Sequence, residues 1–160
     1  AAAPGRTSGR PPVLMQPSLF GAPAGGSATA NVDGGSRGNP GPAGYGVRIE
    51  REDGTVVELK QSLATATNNV AEYRGLLAAL GWAAQNGVSH LHVRSDSMLM
   101  VKQMDGSYRV KHPGLQPLHA EARSIAKRIG RVTFEHVRRE LNKEADRLAN
   151  EAMDEAAASK

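Results

Sequence analysis

The hydrophobic period of this chain changes partway along, and that change restricts the fold more than any other feature. The early segments alternate apolar and polar residues, the period of a half-buried strand. Ala28 to Asp33 suits a short strand leading into a Gly-rich turn, Gly34 to Gly44. Tyr45 to Glu50 and Thr55 to Leu63 alternate around Val47, Ile49, Val57 and Leu59, and Asp53-Gly54 between them is a hairpin signal. Then the period becomes helical: Tyr73, Leu76, Leu77, Leu80 and Ala84 form one stripe, with Thr67, Asn68 and Asn69 as candidate N-caps and Gly87 as a stop. His90 to Ser95 reads as a strand, Ser97 to Met104 as a short helix, Leu115 to Ile129 as a longer one, Arg131 to Arg138 as a fifth strand, and Asn142 onward as a closing helix. Three antiparallel strands followed by helical crossovers predict an α/β fold. Its five-stranded mixed sheet is expected to have three antiparallel strands, then parallel strands, with helices on both faces.

The chain has 160 residues, enough for one domain with a real core. Residues 1–27 are rich in Ala, Gly, Pro and Ser, with Arg6 and Arg10 and no acid. That composition buries too little apolar surface to offset its ordering entropy, so a disordered tail is expected there and the domain over 28–155. Without cysteine the chain has neither disulfides nor thiolate metal ligands. No apolar run suits a signal peptide or a membrane span, and a cytoplasmic, monomeric protein without membrane contact is expected. A net charge of +4 mildly favours a polyanionic partner.

Four carboxylates stand at strand ends or helix starts: Asp33, Glu72, Asp96 and Asp146. In α/β sheets such positions converge. Hard divalent cations take oxygen ligands, and two of them can activate water and stabilise a leaving oxygen in phosphodiester hydrolysis. Each acid also has a purely structural reading. Asn69-x-x-Glu72 fits a capping box, Asp96 could cap the following helix, Asp146 could pair with Lys143, and Asp33-Gly34 could be a turn. Spacing alone does not choose between the two.

The neighbourhoods of the acids do. Asp33-Gly34-Gly35-Ser36-Arg37-Gly38-Asn39-Pro40-Gly41-Pro42-Ala43-Gly44-Tyr45-Gly46 closely resembles the first-strand signature of ribonuclease H type 1. Thr67-Asn68-Asn69-Val70-Ala71-Glu72, Ser95-Asp96-Ser97 and Asn142-Lys143-Glu144-Ala145-Asp146-Arg147-Leu148-Ala149 resemble the later ones, in order. The resemblance runs from about Ala28 to Met153. It implies a ribonuclease H-like fold and an endonuclease that cuts the RNA strand of RNA–DNA hybrids, leaving 5′-phosphate and 3′-hydroxyl ends. It further implies Asp33, Glu72, Asp96 and Asp146 as ligands of two Mg²⁺ or Mn²⁺ ions, with Asp33 bridging them and Glu72 near a ribose 2′-hydroxyl. The family's hybrid-binding positions fall on Gly34, Asn39, Asn68 and Asn69, and its phosphate contact on Thr67. A non-catalytic module binding hybrids or double-stranded RNA is the alternative, but such a module has no use for four acids facing a polyanion.

The chain departs from the family in two places. The loop histidine that many members carry before the last aspartate is missing between Arg138 and Asn142. His136 falls within an alternating strand, which leaves Arg139 as the candidate replacement at the scissile phosphate. The Trp- and Lys-rich protrusion of some members is reduced to Lys102, Tyr108, Arg109 and Lys111, a short form without a basic protrusion, and Met98 stands where glutamine is common. Activity on double-stranded RNA therefore stays open. In the tail, Gln16-Pro17-Ser18-Leu19-Phe20 resembles the pentapeptide that docks bacterial proteins on the DNA sliding clamp, with Gln16, Leu19 and Phe20 as its contact residues.

Overall fold

The computed structural model describes residues 26–159. The candidate clamp motif at Gln16, Leu19 and Phe20 lies outside them. In chain order the elements are β1 (Gly26–Ser36), β2 (Gly41–Arg51), β3 (Val56–Ala66), α1 (Asn68–Gln85), β4 (Val88–Ser95), α2 (Met98–Met104), α3 (Gln116–Ile129), β5 (Arg131–His136), a 3-10 turn (Arg139–Leu141) and α4 (Lys143–Ala158). The sheet order is β3-β2-β1-β4-β5. β1, β2 and β3 pair antiparallel, and β4 and β5 join parallel to β1 through helical crossovers. This is the ribonuclease H-like fold the sequence predicts, a five-stranded mixed sheet with helices on both faces.

The pleat of β1 sorts the two faces. Ala28, Ala30 and Val32 enter the main core with Leu76, Leu80, Leu91 and Val93, on the side of α1 and α3. Asn31 and Gly35 point the other way, towards Asn142 at the start of α4 and Met153 further along it. β2 is buried on both sides, Val47 and Ile49 in the core and Gly44 and Gly46 under α4. A Cβ at Gly46 would collide with Leu148, so glycine here lets α4 approach the strand backbone.

One expectation fails instructively. The Gly-rich stretch from Gly34 is not a turn throughout, because β1 continues to Ser36 and β2 starts at Gly41, leaving only residues 37–40 between them. Gly34, Gly35 and Ser36 pair with Tyr45, Gly44 and Ala43. Gly34 is there for close packing: a side chain would run into the Ala71 backbone of α1. The fifth strand also stops at His136, two residues short of the expected Arg138.

Candidate metal centre

Four elements deliver the acids. Asp33 lies in β1 where α1 crosses closest, Glu72 in the second turn of α1, Asp96 just past β4, and Asp146 in the first turn of α4. Because β1 and β4 are parallel neighbours, with Val32 opposite Ser95, Asp33 and Asp96 emerge side by side. Carboxylate oxygens of Asp33, Glu72 and Asp96 all lie within 4.8 Å of one another. Asp146 stands outside that tight group, yet its carboxyl is close enough to Asp33 to act on its protonation.

The capping alternatives for Glu72 and Asp96 and the Lys143 pair for Asp146 do not form, although Asp146 does sit part-exposed in the first turn of α4. The N-cap of α1 is Thr67, whose hydroxyl accepts from the Val70 amide at 3.2 Å, so the Asn69–Glu72 capping box is not formed. Glu72 turns inward instead and accepts the Gly34 amide at 2.6 Å. Ser97, not Asp96, caps α2 through the Met100 amide. In the first turn of α4 it is Glu144 that finds a cation, Arg147, and no Lys143–Asp146 pair exists among the described residues.

The electrostatics explain why such a cluster is not structural. Asp33 is 8% exposed and Glu72 7%. Burial, then the nearby charges of Asp96 and Asp146, push the Asp33 carboxyl from 3.8 up to about 7. Burial and the charges of Asp33 and Asp96 raise Glu72 well above the usual carboxylate range, although the Gly34 amide opposes this. Asp96 is raised by burial and partly held down by Arg139. Buried like charges at this separation cannot all ionise cheaply without a cation. An all-oxygen donor set that repels itself suits a hard divalent ion. The residues present fit such an ion.

The flanking residues also find places. Asn68 and Asn39 fasten the β1–β2 turn to the start of α1: the Asn68 carboxamide oxygen accepts from the Ser36 amide at 2.8 Å, and that of Asn39 from the Asn68 amide at 2.9 Å. Asn69 is exposed beside them. Arg139, 80% exposed, puts its Nε 3.9 Å from Asp96, and His136 is also near enough for its charge to act on Asp96.

Sequence reasoning missed the role of Asn142. It is 1% exposed, donates to the Val32 carbonyl at 2.9 Å and accepts from the Asn31 carboxamide at 2.8 Å. It thus ties the start of α4, and with it Asp146, to the strand that carries Asp33. Its position before the helix reads as a cap, but its side chain makes no cap hydrogen bond. Only tertiary contact reveals the use.

Comparison with known proteins places this geometry. A family model described as reverse transcriptase-like matches residues 31–152. A ribonuclease HI of Halobacterium salinarum is 42% identical over 133 residues, which cover 82% of this chain and 67% of that protein. The chain belongs to the ribonuclease H type 1 family. Another relative, the bifunctional protein Rv2228c of Mycobacterium tuberculosis, is 52% identical over 130 residues, 80% of this chain but 36% of that protein. The chain therefore spans about a third of the length of its mycobacterial relatives. Among solved ribonuclease H structures, the N-terminal domain of Rv2228c superposes with a TM-score of 0.81 at 50% identity, covering 84% of this chain and 98% of that one. LC11-RNase H1 in complex with an RNA/DNA hybrid gives 0.76 at 42% identity, covering 81% and 99%.

Proposed function

We propose that this chain is an endoribonuclease that hydrolyses the RNA strand of RNA–DNA hybrids with two divalent ions, Mg²⁺ or Mn²⁺, leaving 5′-phosphate and 3′-hydroxyl ends. The observation that carries the reading is the convergence of Asp33, Glu72 and Asp96 within 4.8 Å, with Asp146 beside Asp33. The relative LC11-RNase H1, which binds an RNA/DNA hybrid, supports the substrate. Asp33, Glu72, Asp96 and Asp146 would hold the ions. Bound there, the ions would supply an activated water and charge stabilisation for the leaving oxygen.

The remaining roles belong to the chain. The Gly34 amide keeps Glu72 turned into the site, and Gly34, part-exposed in β1, would meet the hybrid through the rest of its backbone. Asn39, Asn68 and Asn69 offer donors and acceptors to sugars and base edges, and Thr67 a hydroxyl to a DNA-strand phosphate. Arg139, 3.9 Å from Asp96, would contact the scissile phosphate in place of the family's loop histidine. Of the family's basic protrusion this short form keeps only Lys102, Arg109 and Lys111, with the exposed Tyr108, so the DNA strand would be gripped less firmly and double-stranded RNA is a candidate second substrate. Gln16, Leu19 and Phe20 would tether a monomeric cytoplasmic enzyme to the DNA sliding clamp. Loss of a pull-down with the clamp when Leu19 and Phe20 become Ala tests that tether.

The decisive experiment offers hybrid, double-stranded RNA and double-stranded DNA to the protein with Mg²⁺, Mn²⁺ or EDTA. Metal-dependent cleavage of the hybrid's RNA strand is expected. Binding without cleavage in either metal would replace the enzyme reading with that of a binding module.

A further inference from the structure

A second surface lies away from the carboxylates. α3 and β5 enclose a groove of about 660 Å³ lined by Met104, Ala126, Val132 and Phe134, with Arg123 and Lys127 among its polar residues and no acid. Arg128 and Arg131 follow in sequence. Among the described residues none of these four cations has an ion-pair partner, as is also true of Arg74, Lys102, Arg109, Lys111, Arg138 and Lys143, but these four gather beside one apolar groove. β5 is also an edge strand, paired only with β4. Its outer edge therefore offers unpaired backbone groups beside an apolar floor and positive charge.

We propose that this groove binds an extended acidic peptide segment of a partner protein, added to the edge of β5 with its alternate apolar side chains on Val132 and Phe134. The apolar floor favours a peptide over a nucleic-acid backbone, which has phosphates but no side chains to bury. The groove also starts at Gly130, at the opposite end of the parallel strands from Asp96: His90 pairs with Arg131, and Ser95 with His136. The chain's own N-terminal residues carry Arg6 and Arg10 and no acid, so they would be repelled. A second copy is equally unsuited, because Glu144, Glu151, Asp154 and Glu155 of its acidic helix are engaged by Arg147, Lys60 and Arg37.

The test is fluorescence anisotropy with the labelled peptide Glu-Asp-Phe-Glu-Val-Asp-Leu-Glu, against the same peptide with Ser at its apolar positions. The parent and the double variant Arg123→Glu, Lys127→Glu are compared at low salt. Binding of the first peptide only, weakened about tenfold or more by the double variant while hybrid cleavage and Tm stay unchanged, is the expected result. No binding, or binding indifferent to the charge reversal, overturns the proposal. A parallel loss of hybrid affinity would assign the surface to nucleic acid, and a parent dimer in sedimentation that the variant dissolves would assign it to self-association; either also overturns it.

Discussion

Two groups of acids in this molecule are built on opposite plans. Along the seam between α4 and β3, Glu58, Glu144, Glu151 and Glu155 lie in solvent against Lys60 and Arg147, with contacts of 2.9 to 3.1 Å. Where β1, α1 and the end of β4 meet, Asp33 and Glu72 are buried against each other and against Asp96, with Arg139 at 3.9 Å from Asp96. The seam lowers the energy of the fold slightly and asks for nothing further. The cluster raises it and is relieved by a proton or by a cation from outside. Acids that destabilise the fold while converging on one point mark a site that folding alone does not explain.

The largest expected effect comes from removing one charge of the cluster. In Asp33→Asn, hybrid cleavage should fall by about a thousandfold or more, since a ligand of the reacting centre is lost. The metal-free variant should nevertheless be more stable than the parent at neutral pH. The folded chain holds the Asp33 proton up to about pH 7, against 3.8 for an ordinary aspartate. Folding therefore takes up a proton in that window, and this contribution to stability is complete below the lower value and lost as pH rises through the upper one. Thermal melts in EDTA should show the parent's Tm falling across the window and the Asn variant's falling less. Mg²⁺ should raise the parent's Tm more than the variant's. A variant that melts lower than the parent in EDTA at neutral pH would contradict the strained-cluster account.

Gly34→Ala tests how the strand and the helix are brought together. The added methyl would meet the Ala71 carbonyl and the Glu72 amide, both backbone groups that cannot step aside. Overpacking of this kind costs about 1–3 kcal/mol, which denaturant melts would read as a lower midpoint. Because the same shift displaces Glu72, cleavage should fall further than stability does. Unchanged melting would mean that α1 can retreat from β1 freely.

That glycine also shows what the sequence made legible. The apolar periods located β2, β3, β4, β5 and α1, because burying one face of an element leaves a pattern in the chain itself, while the 3-10 turn at Arg139–Leu141 left none. The signatures around the acids pointed to Asp33, Glu72 and Asp96, which do converge, where each acid alone fitted a cap, a pair or a turn. What misled was Gly34, taken as part of a turn because glycine commonly makes turns, when here it admits a helix. Asn142 was missed for a related reason. Its partners, Val32 and Asn31, are more than a hundred residues away, and no local pattern encodes such a contact.

Arg139→Ala should have an intermediate effect. Its guanidinium is mostly exposed and rests 3.9 Å from Asp96, so stability should barely change. If it contacts the scissile phosphate, cleavage of the hybrid should fall about tenfold, the scale of one lost charge-assisted hydrogen bond. Lys in its place should recover part of that rate, and His136→Ala, made alongside, separates the two residues that approach Asp96. A loss seen only with His136→Ala would transfer the role to the strand histidine.

The smallest effect is expected at the seam, and its smallness is the point. Lys60→Ala removes partners of both Glu151 and Glu155 but leaves no buried charge behind, since all three side chains are in water. The Tm should fall slightly at low salt, and the difference should vanish in molar salt as the surface charges are screened. Cleavage should be unchanged. In the cluster the opposite holds, because buried charges are screened far less and a neutralising substitution there raises stability while removing activity. A Lys60→Ala variant that lost activity would mean that α4, and with it Asp146, is positioned by this seam rather than by Asn142 and the close packing of Gly44 and Gly46.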